Sequence, residues 1–108
     1  MSPVVRGHLQ PPGNAPQLGE RVDPLARISG DVRVEQILSG ELEAPADFLQ
    51  DHDEWVVVLS GRAALDVAGE QLDLFAGDWI VLPADVPHRV LRTQPGTSWL
   101  AVHGQPHG

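Results

Sequence analysis

Short apolar segments separated by turn residues run along the chain from about residue 27. None of them shows sustained helical periodicity, and several are bounded by Gly and Pro. Short strands at regular spacing are typical of an all-β sandwich or barrel. We therefore predict about seven or eight strands, at segments that include DVRVEQIL (31–38), WVVVL (55–59), AALDV (63–67), QLDLF (71–75), WIVLP (79–83), HRVL (88–91) and SWLAV (98–102).

The strands differ in how their apolar positions are arranged. In the first segment Val32 and Val34 alternate with Arg33 and Glu35, which is typical of a strand with one apolar face. The segment at 55–59 is apolar on both faces, so we predict a central strand that is covered on both sides. The segments at 63–67 and 71–75 flank Gly69, and this arrangement predicts a hairpin.

The start of the chain has a different composition. Within residues 1–20, four Pro and three Gly disfavour both a helix and a central strand. We predict an arm or tail over 1–20, one barrel domain over 21–103 and a short tail over 104–108. Two alternatives stay open for the first segment: a floppy terminus, or an arm that docks on a partner subunit.

Composition excludes several classes of function. The 108 residues suffice for one domain, and the formal charge of −8 argues against a nucleic-acid partner. All seven basic residues are Arg and there is no Cys, so lysine Schiff bases, phosphate-loop lysines and thiolate metal sites are excluded. No apolar run approaches the roughly 18 residues that span a membrane. We expect a soluble, cytoplasmic protein that takes a small-molecule ligand and uses no nucleotide or organic cofactor.

Two polar residues, Glu54 and His88, stand out at the starts of predicted strands. The stretch DHDEW places His52, Asp51, Asp53 and Glu54 ahead of the apolar segment at 55–59, and His88 begins another strand. Because side chains alternate along a strand, Glu54 shares a face with Val56 and Val58, and His88 shares a face with Val90. If both faces point into the barrel, Glu54 and His88 meet there.

The spacing around these residues resembles two motifs of the cupin superfamily. Gly61 lies seven residues after Glu54, and GDWIVLPADVPH runs from Gly77 through Pro83 to His88. With FLQDHDEW, the chain looks most like small bacterial single-domain cupins. The resemblance implies a double-stranded β-helix, or jelly roll, of two facing antiparallel sheets, with a pocket between them and often a homodimer. We expect Gly61 and Gly77 to adopt positive φ.

The chain also departs from the superfamily pattern. Phe48 and Gln50 occupy the positions of the usual His-x-His metal ligands, Asp85 replaces a glycine, and Arg92 replaces an asparagine. The ligand set implied by the resemblance is then Glu54, His88 and the amide oxygen of Gln50, with His52 as a weaker candidate.

This donor set suits one divalent ion of iron, manganese, nickel or zinc. The alternatives are a solvated loop histidine at position 52 and a buried hydrogen bond between Glu54 and His88 with no metal. His103 and His107 are assigned no role.

Two classes of function are compatible with these residues. The first is a metal-dependent enzyme acting on a small metabolite, such as an isomerase, dioxygenase or lyase, as the superfamily resemblance implies. The second is a metal-free, non-catalytic binding or sensing module that uses the same pocket. The three Trp residues, 55, 79 and 99, are interpreted as core or dimer-interface packing, and we predict a homodimer.

Overall fold

The computed structural model describes residues 3–106, which form an all-β fold of two antiparallel sheets. This confirms the predicted jelly roll. A turn of 3-10 helix, Pro12–Asn14, precedes the first strand. The described part of the chain has nine strands: β1 (Glu20–Ile28), β2 (Val32–Ser39), β3 (Ala46–Phe48), β4 (His52–Ser60), β5 (Arg62–Val67), β6 (Glu70–Phe75), β7 (Trp79–Leu82), β8 (His88–Thr93) and β9 (Thr97–Pro106).

Five strands form one sheet in the order β1-β2-β9-β4-β7, and four form the other in the order β3-β8-β5-β6. Strand β4 pairs with β9 on one side and β7 on the other, which confirms the central strand predicted from its apolar run. Val56 and Val58 are buried on its inner face, whereas Trp55 and Val57 are half-buried on the outer face.

The predicted hairpin is confirmed in β5 and β6. Ala63 pairs with Leu74 and Leu65 with Leu72. The core lies between the two sheets, where the inward side chains of both meet. Its buried members are Val56, Val58, Ala63, Leu65, Leu74, Leu82, Val90, Trp99 and Ala101.

Two strands were not predicted from the pattern. Strand β1 is at the edge of its sheet and is mostly exposed, and its inward side mixes Glu20 with Val22, so alternation reveals no apolar face. Pro24 lies within it next to an irregularity in its pairing with β2, and proline is tolerated at such an edge position. Strand β3 has only three residues, which is too short to show any period.

The segment before β1 makes specific contacts with the first sheet. The backbone N–H of Gln10 donates to the side-chain oxygen of Gln36 (2.8 Å), and the Gln36 amide donates back to the Gln10 carbonyl (2.9 Å). Gly19 donates to the carbonyl of Glu41 (3.0 Å).

At the other end, β9 continues to Pro106, beyond residue 103. His107 lies outside the described residues. Between residues 3 and 106, no helix is long and apolar enough to cross a membrane.

Candidate ligand pocket between the sheets

A cavity of about 180 Å³ lies between the two sheets. Side chains of both sheets line it, and most of them are apolar. Its apolar lining consists of Val22, Ile37, Phe48, Val56, Leu65, Leu82, Val90 and Trp99. Its polar lining consists of Glu20, Glu35, Gln50, Glu54, His88 and His103.

Glu54, His88 and Gln50, the three residues predicted from the motifs, all line this cavity. Glu54 is 8% exposed on β4 and His88 is 7% exposed on β8, so strand alternation places both side chains inward. The Gln50 amide donates to Glu54 Oε1 at 2.8 Å. Among the described side chains, Glu54 and His88 share no hydrogen bond, so that predicted alternative is wrong.

His88 is a buried imidazole with an unsatisfied nitrogen. Its neighbour across the strand pair is Phe48, whose ring stacks on it with centroids 5.4 Å apart and planes 11° apart. The His88 Nδ1 is buried and has no hydrogen-bond partner among the described residues. A buried polar atom without a hydrogen-bond partner destabilises the folded protein by about 1–3 kcal/mol. A ligand or water that forms a hydrogen bond with this nitrogen would remove that cost.

His103 belongs to the cavity wall, although no role is predicted for it from the sequence. Its Nε2 is 2.6 Å from Glu35 Oε1 and its Nδ1 is 3.7 Å from Glu54 Oε1. The alternation of Trp99, Ala101 and His103 along β9 could have revealed it, because the first two are apolar and buried. Glu35 was also not predicted as a site residue. On β2, Glu35 and Ile37 face the cavity.

His52 does not line the cavity but supports it from one side. Its Nδ1 is 3.0 Å from Asp51 Oδ1, and its Nε2 is 2.9 Å from His103 Nδ1. Its side chain is only 13% exposed and lies at the start of β4, so the interpretation as a solvated loop histidine is wrong. The hydrogen bond from His52 lowers the pKa of the exposed Asp51 below its ordinary value.

The contacts from Asp51 through His52 and His103 to Glu35 form one continuous chain. It connects the start of β4 to the cavity wall, where His103 Nδ1 also lies 3.7 Å from Glu54 Oε1.

A third carboxylate, Glu20, lines the cavity from the edge strand β1. Glu20 as a whole residue is exposed, but burial of its carboxyl group raises the pKa of that group. The negative charges of Glu54 and Glu35 raise this pKa further, and a hydrogen bond with Ser39 lowers it by a smaller amount. Glu20 is therefore close enough to both Glu35 and Glu54 for their negative charges to act on it. Of the described residues that line the cavity, none is an arginine.

The loop that follows β7 positions Gln50. The backbone N–H of Asp85 donates to the Gln50 carbonyl (2.7 Å), and that of Ala84 donates to Asp53 Oδ1 (2.8 Å). Asp85, which stands where the cupin motif has glycine, adopts a φ of 62°. Aspartate tolerates this left-handed region better than most residues, so the loop keeps its shape without the glycine. Arg92, the other departure, is exposed on β8.

The divalent metal implied by the resemblance does not fit these side chains as they are arranged. The described part of the chain has no group of three or more His, Asp or Glu side chains that could hold an ion. Gln50 directs its N–H, not its oxygen, toward Glu54, and Phe48 covers one face of His88. The assignment of Glu54, His88 and Gln50 as metal ligands stays a prediction.

Comparisons with known proteins agree with this architecture. The family model described as a cupin domain matches residues 33–103. A structure from Ralstonia eutropha JMP134, of a protein proposed to be a mannose-6-phosphate isomerase, is 33% identical with a TM-score of 0.77. The match covers 93% of this chain and 99% of that chain. No curated protein matches the chain.

Two more distant structures, each 20% identical with a TM-score of 0.65, share the fold. One is a cupin domain of an XRE family transcriptional regulator from Enterobacter cloacae, matched over 82% of this chain and 99% of that chain. The other is an RmlC-like cupin from Shewanella frigidimarina, matched over 82% and 78%. The family match, over residues that include both motifs and most of the cavity wall, shows that this chain belongs to the cupin family.

Proposed function

We propose that this protein binds a small metabolite in the cavity between its sheets, directly through the side chains of the cavity wall. One observation carries the proposal: the apolar cavity has a few convergent polar groups, and one of them, His88, has a buried nitrogen without a partner. Ligand sites in proteins have this composition, with apolar walls that bury the ligand and polar groups that orient it.

The size of the cavity limits the ligand. At about 180 Å³ it is smaller than the roughly 300–1,000 Å³ of sites for drug-sized molecules. A compact metabolite fits this space better than a nucleotide or a large cofactor does. Leu65, Val90 and Trp99 offer apolar contact, and Glu54 and His88 offer polar contact.

A second candidate is an isomerase that moves a proton on its bound substrate. It is favoured by the similarity to the Ralstonia protein proposed to be a mannose-6-phosphate isomerase. His88 would be the proton acceptor, because its Nδ1 has no other partner and an imidazole exchanges protons near neutral pH. Glu54 lines the same cavity as a carboxylate that can hold the substrate in place.

The test is a metabolite panel titrated into the ¹⁵N-labelled protein and followed by NMR. We expect at least one compound to shift resonances of the cavity wall, including the indole N–H of Trp99. The change His88→Ala should weaken that compound about tenfold or more while the protein stays folded. The matched control is His8→Ala, since His8 is exposed and does not line the cavity.

Ligand resonances in the same samples separate the two candidates. A ligand that stays unchanged over hours supports the binding module, and conversion that stops in the His88→Ala variant supports the isomerase. If every binding compound shifts residues outside the cavity, or if the two histidine variants weaken binding equally, the proposed site is wrong.

A further inference from the structure

We infer that the ligand of this pocket is a small organic cation, an amine with a compact apolar body, and not an anion such as a phosphorylated sugar. The inference rests on the proposed function, because it names the class of molecule that the cavity takes. It is carried by the charge of the cavity wall together with the unpaired imidazole of His88.

The charged groups of the wall are unequal in sign. Glu20, Glu35 and Glu54 line the cavity, and they come from three different strands of one sheet. None of the described lining residues is Arg, and the chain has no Lys. The only other ionisable side chains of the described wall are His88 and His103.

The imidazole of His103 already has carboxylate neighbours of its own. Its Nε2 is 2.6 Å from Glu35 Oε1, and the chain of contacts continues through His52 to Asp51. Glu54 Oε1 is 3.7 Å from His103 Nδ1 and otherwise accepts an uncharged N–H from Gln50. With three carboxylates and no Arg or Lys among the described lining residues, the cavity wall is acidic.

His88 supplies a second and independent indication of a ligand. It is 93% buried, since its exposed fraction is 7%, it forms part of the cavity wall, and its Nδ1 has no partner. With the ring proton on Nε2, the Nδ1 of His88 accepts a hydrogen bond, and an ammonium group has only hydrogen-bond donors to give. The remaining lining, including Val56 and Leu82, is apolar and fits the carbon body of such a ligand.

An anion would meet the opposite conditions. A phosphate ester in this cavity would lose its hydration and face Glu20, Glu35 and Glu54 with no arginine of the described wall to pair with it. Like charges brought together at a binding site suppress the wrong ligand. The cavity therefore selects against the substrate class in the name of the Ralstonia protein, despite their shared fold.

The experiment compares three probes of nearly equal shape: 3-methylbutylamine, 3-methylbutanol and 3-methylbutanoate, with mannose 6-phosphate as the phosphorylated probe. Each is titrated by calorimetry and NMR at pH 7 into protein treated with a chelator. Glu54→Gln removes a carboxylate from a buried position of the wall, and Glu20→Gln removes one from an exposed position on β1. Glu43→Gln makes the same chemical change on the exposed surface, outside the cavity wall, as the control.

We expect the amine to bind at least about tenfold more tightly than the alcohol, with the two anions weaker still. Glu54→Gln and Glu20→Gln should each reduce the preference for amine over alcohol, and Glu43→Gln should not. If the alcohol binds the cavity as tightly as the amine, the inference on charge fails while the proposed function stands. Tighter binding of either anion, amine binding that requires added Zn²⁺, or no binding of any probe also overturns the inference.

Discussion

The replacement of Gly61 by alanine tests how the first cupin motif holds the two sheets together. Gly61 links β4 of one sheet to β5 of the other, and it adopts a φ of 90°. Gly77, which precedes β7, adopts a φ of 91° and is the matched control. Both positive values confirm the expectation from the motif spacing.

The two positions differ only in what a new methyl group would contact. At Gly77 an added Cβ has no atom within 4 Å, so Gly77→Ala costs only the backbone strain of an L-residue at positive φ, about 1–2 kcal/mol. At Gly61 the Cβ would lie 2.8 Å from Thr97 Cα and 2.9 Å from Thr97 Cβ. Both distances are shorter than a van der Waals contact, so the neighbour has to move.

Thr97 cannot move without breaking other interactions. It is fully buried, and its hydroxyl donates to the Gln94 carbonyl at 2.6 Å and accepts from the Arg62 N–H at 3.2 Å. Overpacking of a rigid site costs about 1–3 kcal/mol. Together with the strain, Gly61→Ala should lower the free energy of unfolding by about 2–5 kcal/mol.

Urea unfolding of the wild type and both variants measures this difference. We expect Gly61→Ala to lose about 1–3 kcal/mol more than Gly77→Ala, which corresponds to a melting temperature lower by roughly 4–8 °C for each kcal/mol. Equal losses in the two variants would refute the reasoning, because they would mean that Thr97 exerts no steric constraint and that strain alone is measured.

Three further predictions concern the site, its charge and the assembly. The double change Phe48→His, Gln50→His places two imidazoles beside the cavity residues and should raise the affinity for nickel or zinc about 100-fold or more. Calorimetry in which the wild type and the double variant bind these ions with equal affinity would contradict the prediction. Because burial and neighbouring carboxylates raise the pKa of Glu20, its ionisation destabilises the native state: the stability that Glu20 contributes is present below its unfolded pKa and is lost as pH rises through its folded pKa. Glu20→Gln should therefore raise the melting temperature at pH 7 more than at pH 4, and a larger gain at pH 4 would contradict this sign. The predicted homodimer should give twice the 11.6 kDa chain mass in light scattering. Charged replacements at Trp79 and Val81, which are exposed on the edge strand β7, should reduce this to the mass of one chain. A wild-type protein with the mass of one chain would show that no dimer forms.

Local pattern was sufficient for the strands that bury one face or both. The apolar run of β4, the β5–β6 hairpin and the inward direction of Glu54 and His88 all follow from the two-residue period of a strand, which is visible in the sequence. Strands β1 and β3 were not predicted, because β1 is mostly exposed and β3 is too short for either to show a clear apolar period.

The partners of the inward side chains were decided only by tertiary structure. Period two assigns a side chain to a face, but it does not say which strand lies beside it. Glu35 and His103 are 68 residues apart and meet at 2.6 Å because β2 and β9 pair in the same sheet. Phe48 stacks on His88 because β3 pairs with β8. The sequence by itself determined the fold class and three residues of the cavity, Glu54, His88 and Gln50. The long-range register of the sheets determined that the cavity is rich in carboxylates and that the imidazole of His88 has an unpaired nitrogen.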